Sequence, residues 1–173
     1  MKLQQIHKLR QNIKPTIPRV LYHGTSSDHL NSILKFGLVP GYSKGLGKTP
    51  GQIDPGKDAV YLCNDINNAY QYALWVSTEP HWHSKYSSGN PIILSVRFND
   101  LDQNKFEPDE SFFDYESLWE IYEEPWPEIH ELTWQDSLYL GGTVRYTKII
   151  PPELIHVENR KMKKLSSQHD RTK

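Results

Sequence analysis

His23, Gly24, Thr25 and Ser26 are the residues of this sequence whose types and spacing could do chemistry. They follow the apolar run Val20-Leu21-Tyr22 and precede Leu30, Ile33 and Leu34, which recur at helical spacing. A strand ending here would aim an imidazole, hydroxyls and a glycine backbone at one pocket, a set that suits the ribose and amide of a nucleotide. The same run also reads as a plain strand-turn-helix connection with a structural histidine, and local pattern does not choose between the two. A second stretch, Gly41 to Thr49, imitates a phosphate loop, but its first glycine lies one residue too far from Gly47-Lys48-Thr49 and no strand and helix flank it. A flexible glycine loop that presents Lys44 and Lys48 to phosphates stays open beside a merely solvated loop. His81 and His83, with His130 or Asp136, could ligate a metal, yet no pattern fixes that partnership and no metal is expected. Cys63, at the end of a strand, reads as a buried thiol rather than a nucleophile.

These residues need elements to hold them. Ser26 or Ser27 can cap a helix that stops at Gly37, and Asn64 or Asp65 can cap a second through Ala69, Tyr70, Ala73 and Leu74. Ala59 to Cys63 and Pro91 to Phe98 read as strands, the latter by strict alternation of Leu94, Val96 and Phe98 against Ser95 and Arg97. A last strand is expected from Thr143 to Ile150, ahead of Pro151-Pro152. Helices and strands mixed in this order give an α+β class. The chain of 173 residues is long enough for one domain with a real core. That domain is placed at 19–157, with an extension over 1–18 and a basic, disordered tail over 158–173.

Composition narrows the function classes. Twenty basic against 21 acidic side chains leave a net charge of −1, so no global charge favours nucleic acid. The single cysteine forbids an intramolecular disulfide and a cysteine-based zinc site, which fits a reducing compartment. No apolar run approaches membrane-spanning length, and the first residues lack a signal-peptide core, so a cytoplasmic protein without membrane contact is expected.

Taken together, Tyr22-His23-Gly24-Thr25, a short helix ending at Gly37-Leu38, Val60-Tyr61-Leu62, a helix carrying Tyr72-Ala73, and Val144-Arg145-Tyr146 ahead of Ile150-Pro151-Pro152 resemble the ADP-ribosyltransferase fold. The resemblance is to its His-Tyr-Glu branch, which includes diphtheria toxin and the poly(ADP-ribose) polymerases. It covers roughly residues 19 to 157 in order and spacing. It implies two small β-sheets that split around an NAD cleft, with helices outside, and transfer of ADP-ribose from NAD to an acceptor with release of nicotinamide. By that likeness His23 would bond a ribose hydroxyl and Gly24 would present its backbone to the nicotinamide amide. Thr25 and Ser26 would add hydroxyl contacts, Tyr61 and Tyr72 would sandwich the nicotinamide ring, and Lys44 and Lys48 would steady the pyrophosphate.

One position breaks the pattern. The family's glutamate falls on Gly142 or Thr143, neither of which is acidic. A mono-ADP-ribosyltransferase would then draw on another acid, with Asp136 and Glu131 the nearest, while most acids between Glu107 and Glu131 read as a solvated or partner-facing insert. RNA 2'-phosphotransferases, which share the fold without that glutamate, are a second reading. Against it, few arginines lie in the core and Tyr61 stands where their second histidine falls. A non-catalytic nucleotide- or partner-binding module is the third. The acidic, aromatic stretch 112–124 makes a protein or small-molecule acceptor preferable to nucleic acid.

Overall fold

The computed structural model describes residues 17–40, 59–78, 89–109 and 133–158. Six strands in these residues form one sheet: β1 (Val20–Ser26), β2 (Val60–Cys63), β3 (Pro91–Arg97), β4 (Phe106–Pro108), β5 (Thr143–Tyr146) and β6 (His156–Val157). Their order across the sheet is β4-β5-β2-β1-β3-β6, and every neighbouring pair is antiparallel. Among the described residues three α-helices pack on it: α1 (Ser27–Phe36), α2 (Ile66–Thr78) and α3 (Trp134–Leu140). The α+β class therefore stands, with the six described strands in one antiparallel sheet.

That sheet is not evenly joined. β1 and β3 pair over seven residues, from Val20 with Arg97 to Ser26 with Pro91, and β2 pairs with β5 along its whole length. Between β1 and β2 a single pair, Tyr22 with Cys63, makes the ladder. The molecule thus has two well-paired halves, β4-β5-β2 and β1-β3-β6, meeting at a seam.

The local signals explain the helices. The Ser26 side chain accepts from the Asp28 amide at 3.4 Å at the start of α1, and Gly37 ends that helix at φ 83°, its amide bonded to the Ile33 carbonyl. A side chain at Gly37 would put its Cβ 2.2 Å from the Ile150 carbonyl oxygen, because Leu38 and Ile150 form a bridge there. Asp65 caps α2 through its carboxylate, which accepts from Asn67 and Asn68 amides at 2.8 and 3.1 Å. The expected strand from Thr143 to Ile150 stops at Tyr146, and Ile150 takes part only in the bridge to Leu38. Glu158, assigned to the tail, still bonds the Ile93 carbonyl through its amide at 2.9 Å. Lys44, Lys48, His81, His83, His130, Glu131 and the 112–124 stretch lie outside the described residues.

Antiparallel partners share a face, so the register sorts the side chains. Leu21, Leu62, Leu94, Val96, Val144 and Tyr146 belong to one face and join Ile33 of α1 and Leu138 of α3 in the main core. Cys63 and Ile93 belong to the other and pack with Ala69 of α2. α1 and α2 therefore cover opposite faces. No described helix is long and apolar enough to cross a membrane.

Candidate functional site

The seam between β1 and β2 gathers the residues singled out in the sequence. Beyond Tyr22 and Cys63 the two strands share no further ladder pair, and the His23 imidazole bridges them instead, its Nδ1 lying 2.9 Å from the Tyr61 carbonyl oxygen. A carbonyl only accepts, so Nδ1 carries the proton and donates. In the neutral ring that leaves Nε2 as an acceptor. Burial holds the His23 pKa below its ordinary value, the Tyr61 carbonyl pulls it partly back, and the nearby charge of His29 lowers it further. Desolvation outweighs the hydrogen bond, which favours the neutral ring with its tautomer fixed.

His23 and Tyr61 meet through a backbone, not side chain to side chain. His23 lies opposite Leu94 of β3 and senses His29 of α1, so its ring leaves the sheet on the α1 face. Tyr61 alternates with Leu62 and shares the α2 face with Cys63. Tyr72 of α2 is close enough for Tyr61 to perturb its ionisation. Its phenol is pushed up to about 12 by desolvation first, then by the charges of Asp109, Cys63 and Tyr61. The structure so brings Tyr61 and Tyr72 together on the α2 face and sets the His23 ring on the opposite face of the sheet, whereas the sequence reading places all three around one nicotinamide site.

Gly24 is required for a reason the sequence did not show. Its missing side chain faces α2: a Cβ there would lie 2.0 Å from the Ala69 carbonyl oxygen and 2.7 Å from the Ala73 nitrogen. The glycine lets the helix sit on the strand. Thr25 is buried, and Ser26, with no exposed surface, is spent as the cap of α1. Asp136, expected as a substitute acid, belongs to a capping box at the start of α3. Its carboxylate accepts from the Thr133 amide at 2.8 Å and hydroxyl at 2.6 Å, and its amide donates to the Thr133 hydroxyl.

Two acids at the start of the 107–131 stretch, most of whose acids read as a solvated or partner-facing insert, belong to the sheet. Tyr61, Arg145 and Glu107 form one cross-strand row on the α2 face, where the Arg145 guanidinium, 2% exposed, pairs with the Glu107 carboxylate at 2.9 Å. In the next row Cys63 lies opposite Thr143. Asp109 follows directly on β4, past the pair Pro108 with Val144, and so runs alongside Thr143. The Ser137 hydroxyl fixes this neighbourhood, accepting from the Asp109 amide at 2.9 Å and donating to the Thr143 carbonyl at 2.8 Å. Asp109 is 1% exposed, and its charge also raises the buried Cys63 thiol, which desolvation first and Asp109 and Asp65 after it push up to about 12. Cys63 is therefore a protonated thiol near neutral pH, inert as a nucleophile.

Asn64 ties the end of β2 to this corner. Its amide donates to the Gly142 carbonyl at 2.8 Å and its Nδ2 to the Leu138 carbonyl at 2.9 Å. Gly142, at φ 72°, makes the turn that leads Thr143 into the row. The Thr143 hydroxyl is buried without a hydrogen-bond partner. Among the described residues no group of three or more His, Cys, Asp or Glu side chains is placed to hold a metal ion. No family model matches the chain, and no curated protein matches it in sequence.

Proposed function

We propose that this protein is a mono-ADP-ribosyltransferase that uses NAD as co-substrate and works at the seam between β1 and β2. The observation that carries the reading is the His23 bridge: an imidazole whose Nδ1 is committed to the Tyr61 carbonyl offers a neutral Nε2 acceptor beside the seam, where β1 and β2 share one ladder pair. A ribose hydroxyl is a matching donor. Tyr61 and Tyr72 on the other side supply aromatic surface for a flat heterocycle, worth roughly 0.5 to 1.5 kcal/mol beyond burial for a well-placed pair.

NAD supplies a glycosidic bond to a good leaving group: the bond from the ribose C1' to nicotinamide breaks, its electron pair stays with the nicotinamide nitrogen, and the acceptor's nucleophilic atom bonds C1' and gives its proton to solvent. His23 holds a ribose hydroxyl, and the tyrosines keep the leaving ring aligned with the bond that stretches. The seam, in this reading, is where the two halves of the sheet separate as two small sheets around the cleft. Arg145 is committed to Glu107, which weighs against an arginine grip on an RNA 2'-phosphate.

Incubation with NAD labelled in the adenosine moiety and a cell extract tests the proposal. Wild type should transfer label to a protein or small-molecule acceptor and release nicotinamide, and His23→Ala and Tyr61→Ala should each lower the rate by about a hundredfold. Wild-type protein that releases no nicotinamide overturns the reading. NAD protection against thermal unfolding without turnover would leave a binding module, and loss of a 2'-phosphate from RNA a phosphotransferase.

A further inference from the structure

We infer that Asp109, from the end of β4, supplies the carboxylate charge for the reacting ribose in place of an acid on β5. The inference rests on the transferase reading and adds to it the source of the charge. Breaking a glycosidic bond puts positive charge on the ribose carbon and its ring oxygen in the transition state, and a fixed carboxylate nearby stabilises that charge more than it stabilises the neutral ground state. The start of β5 offers Gly142 and Thr143, which carry no charge.

Four observations place the charge one strand over. The register of β4 on β5 brings Asp109 alongside Thr143, on the face that also carries Tyr61 and Cys63. The Ser137 hydroxyl ties the two backbones, donating to one and accepting from the other, so Asp109 cannot drift from that row without losing a buried hydrogen bond. The Thr143 hydroxyl in that row is buried with no hydrogen-bond partner, a polar atom that the fold leaves uncompensated. Finally, Asp109 perturbs both Tyr72 and Cys63, so its field reaches the aromatic side of the seam. Because Asp109 is itself almost wholly covered, it acts through space in a poorly solvated region, where screening is weak. That makes it a charge-positioning residue, not one that must touch the ribose.

Asp109→Asn removes the charge and keeps the shape. Nicotinamide release should fall by about a hundredfold, while the concentration of NAD that gives half-maximal thermal protection moves by less than about threefold. Adding Thr143→Glu to Asp109→Asn returns a carboxylate to the same row from β5 and should recover about tenfold of the lost rate. A merely structural aspartate would show neither the separation of turnover from binding nor the recovery. Turnover by Asp109→Asn at the wild-type rate, or a rate loss matched by an equal loss of NAD affinity, overturns the inference. If at the same time His23→Ala abolishes turnover, the transferase reading survives alone. Wild type that neither binds NAD nor releases nicotinamide removes both. Should Asp109→Asn fail to fold by circular dichroism, Asp109→Glu decides: turnover within about tenfold of wild type supports the inference, and a loss of about a hundredfold in the folded variant overturns it.

Discussion

The two faces of the sheet are made of different material. On the α1 face Leu21, Leu62, Leu94, Val96 and Val144 are fully buried, and Phe98 and Phe106 stack at 5.3 Å with their rings 2° from parallel. On the α2 face the apolar cluster shrinks to Cys63, Ala69 and Ile93, and beside it Asp109, Thr143 and Arg145 are buried as well. Full burial of a large apolar side chain stabilises a fold by about 1.5 to 3 kcal/mol, whereas a buried polar group opposes folding unless its partners restore what water gave it. The α1 face supplies most of the apolar core, and the α2 face buries more polar groups, among them Arg145 paired with Glu107. Chemistry is best sought on the second face and at the seam beside it, where the ladder between β1 and β2 has one pair.

The sharpest way to break this contrast is to damage each face in turn. Phe98→Ala empties a site packed by Phe106 and by Trp134 at 5.6 Å, and should lower stability by about 4 kcal/mol in urea unfolding. NAD affinity, measured on the remaining folded protein, should be unchanged. A large change in affinity would mean that the aromatic cluster of the α1 face, away from His23, does more than support the fold. Gly24→Ala attacks the contact of β1 with α2, where backbone atoms of the helix leave no room for a methyl group. The expected loss is about 3 kcal/mol, and a cost below about 1 kcal/mol would show that the helix can lift off the strand. Thr133→Ala removes only the capping hydroxyl of α3, and calorimetry should register about 1 kcal/mol. If that variant also stops NAD turnover, Asp136 has a role beyond capping.

What could be read in the sequence follows the range of the interactions concerned. The helix starts at Ser26 and Asp65 and the stop at Gly37 were legible because caps are settled within four residues. α3 is absent from the sequence reading, though Thr133 and Asp136 stand at capping-box spacing ahead of Leu138, a signal that marks its start. β4 was hidden more thoroughly. It is three residues long and ends in Pro108, tolerated because β4 is an edge strand, so the alternation that betrays longer strands never develops. Nothing in the sequence therefore separates Asp109, which is buried, from the neighbouring acids, most of which read as a solvated or partner-facing insert. The relation of His23 to Tyr61 was out of reach for another reason. Which faces they take depends on the register of β1 on β2, and one pair across the seam sets it.

The smallest effect tests the seam itself. His23 is held below its ordinary pKa chiefly by burial, so on acidification the unfolded chain takes up the proton before the native one does. Stability from this group is complete above the unfolded value of about 6.5 and is lost as the pH falls below it. Wild type should thus lose melting temperature between pH of about 7.5 and about 5.5, and His23→Gln, which cannot titrate, should lose less over the same span. The opposite order, with wild type gaining on His23→Gln in acid, would mean that the native state prefers the charged ring, and a neutral Nε2 acceptor would no longer describe the site. NAD protection gives the second readout. If Nε2 accepts from a ribose hydroxyl, protection must weaken as the ring protonates, because both nitrogens then donate and the acceptor is gone.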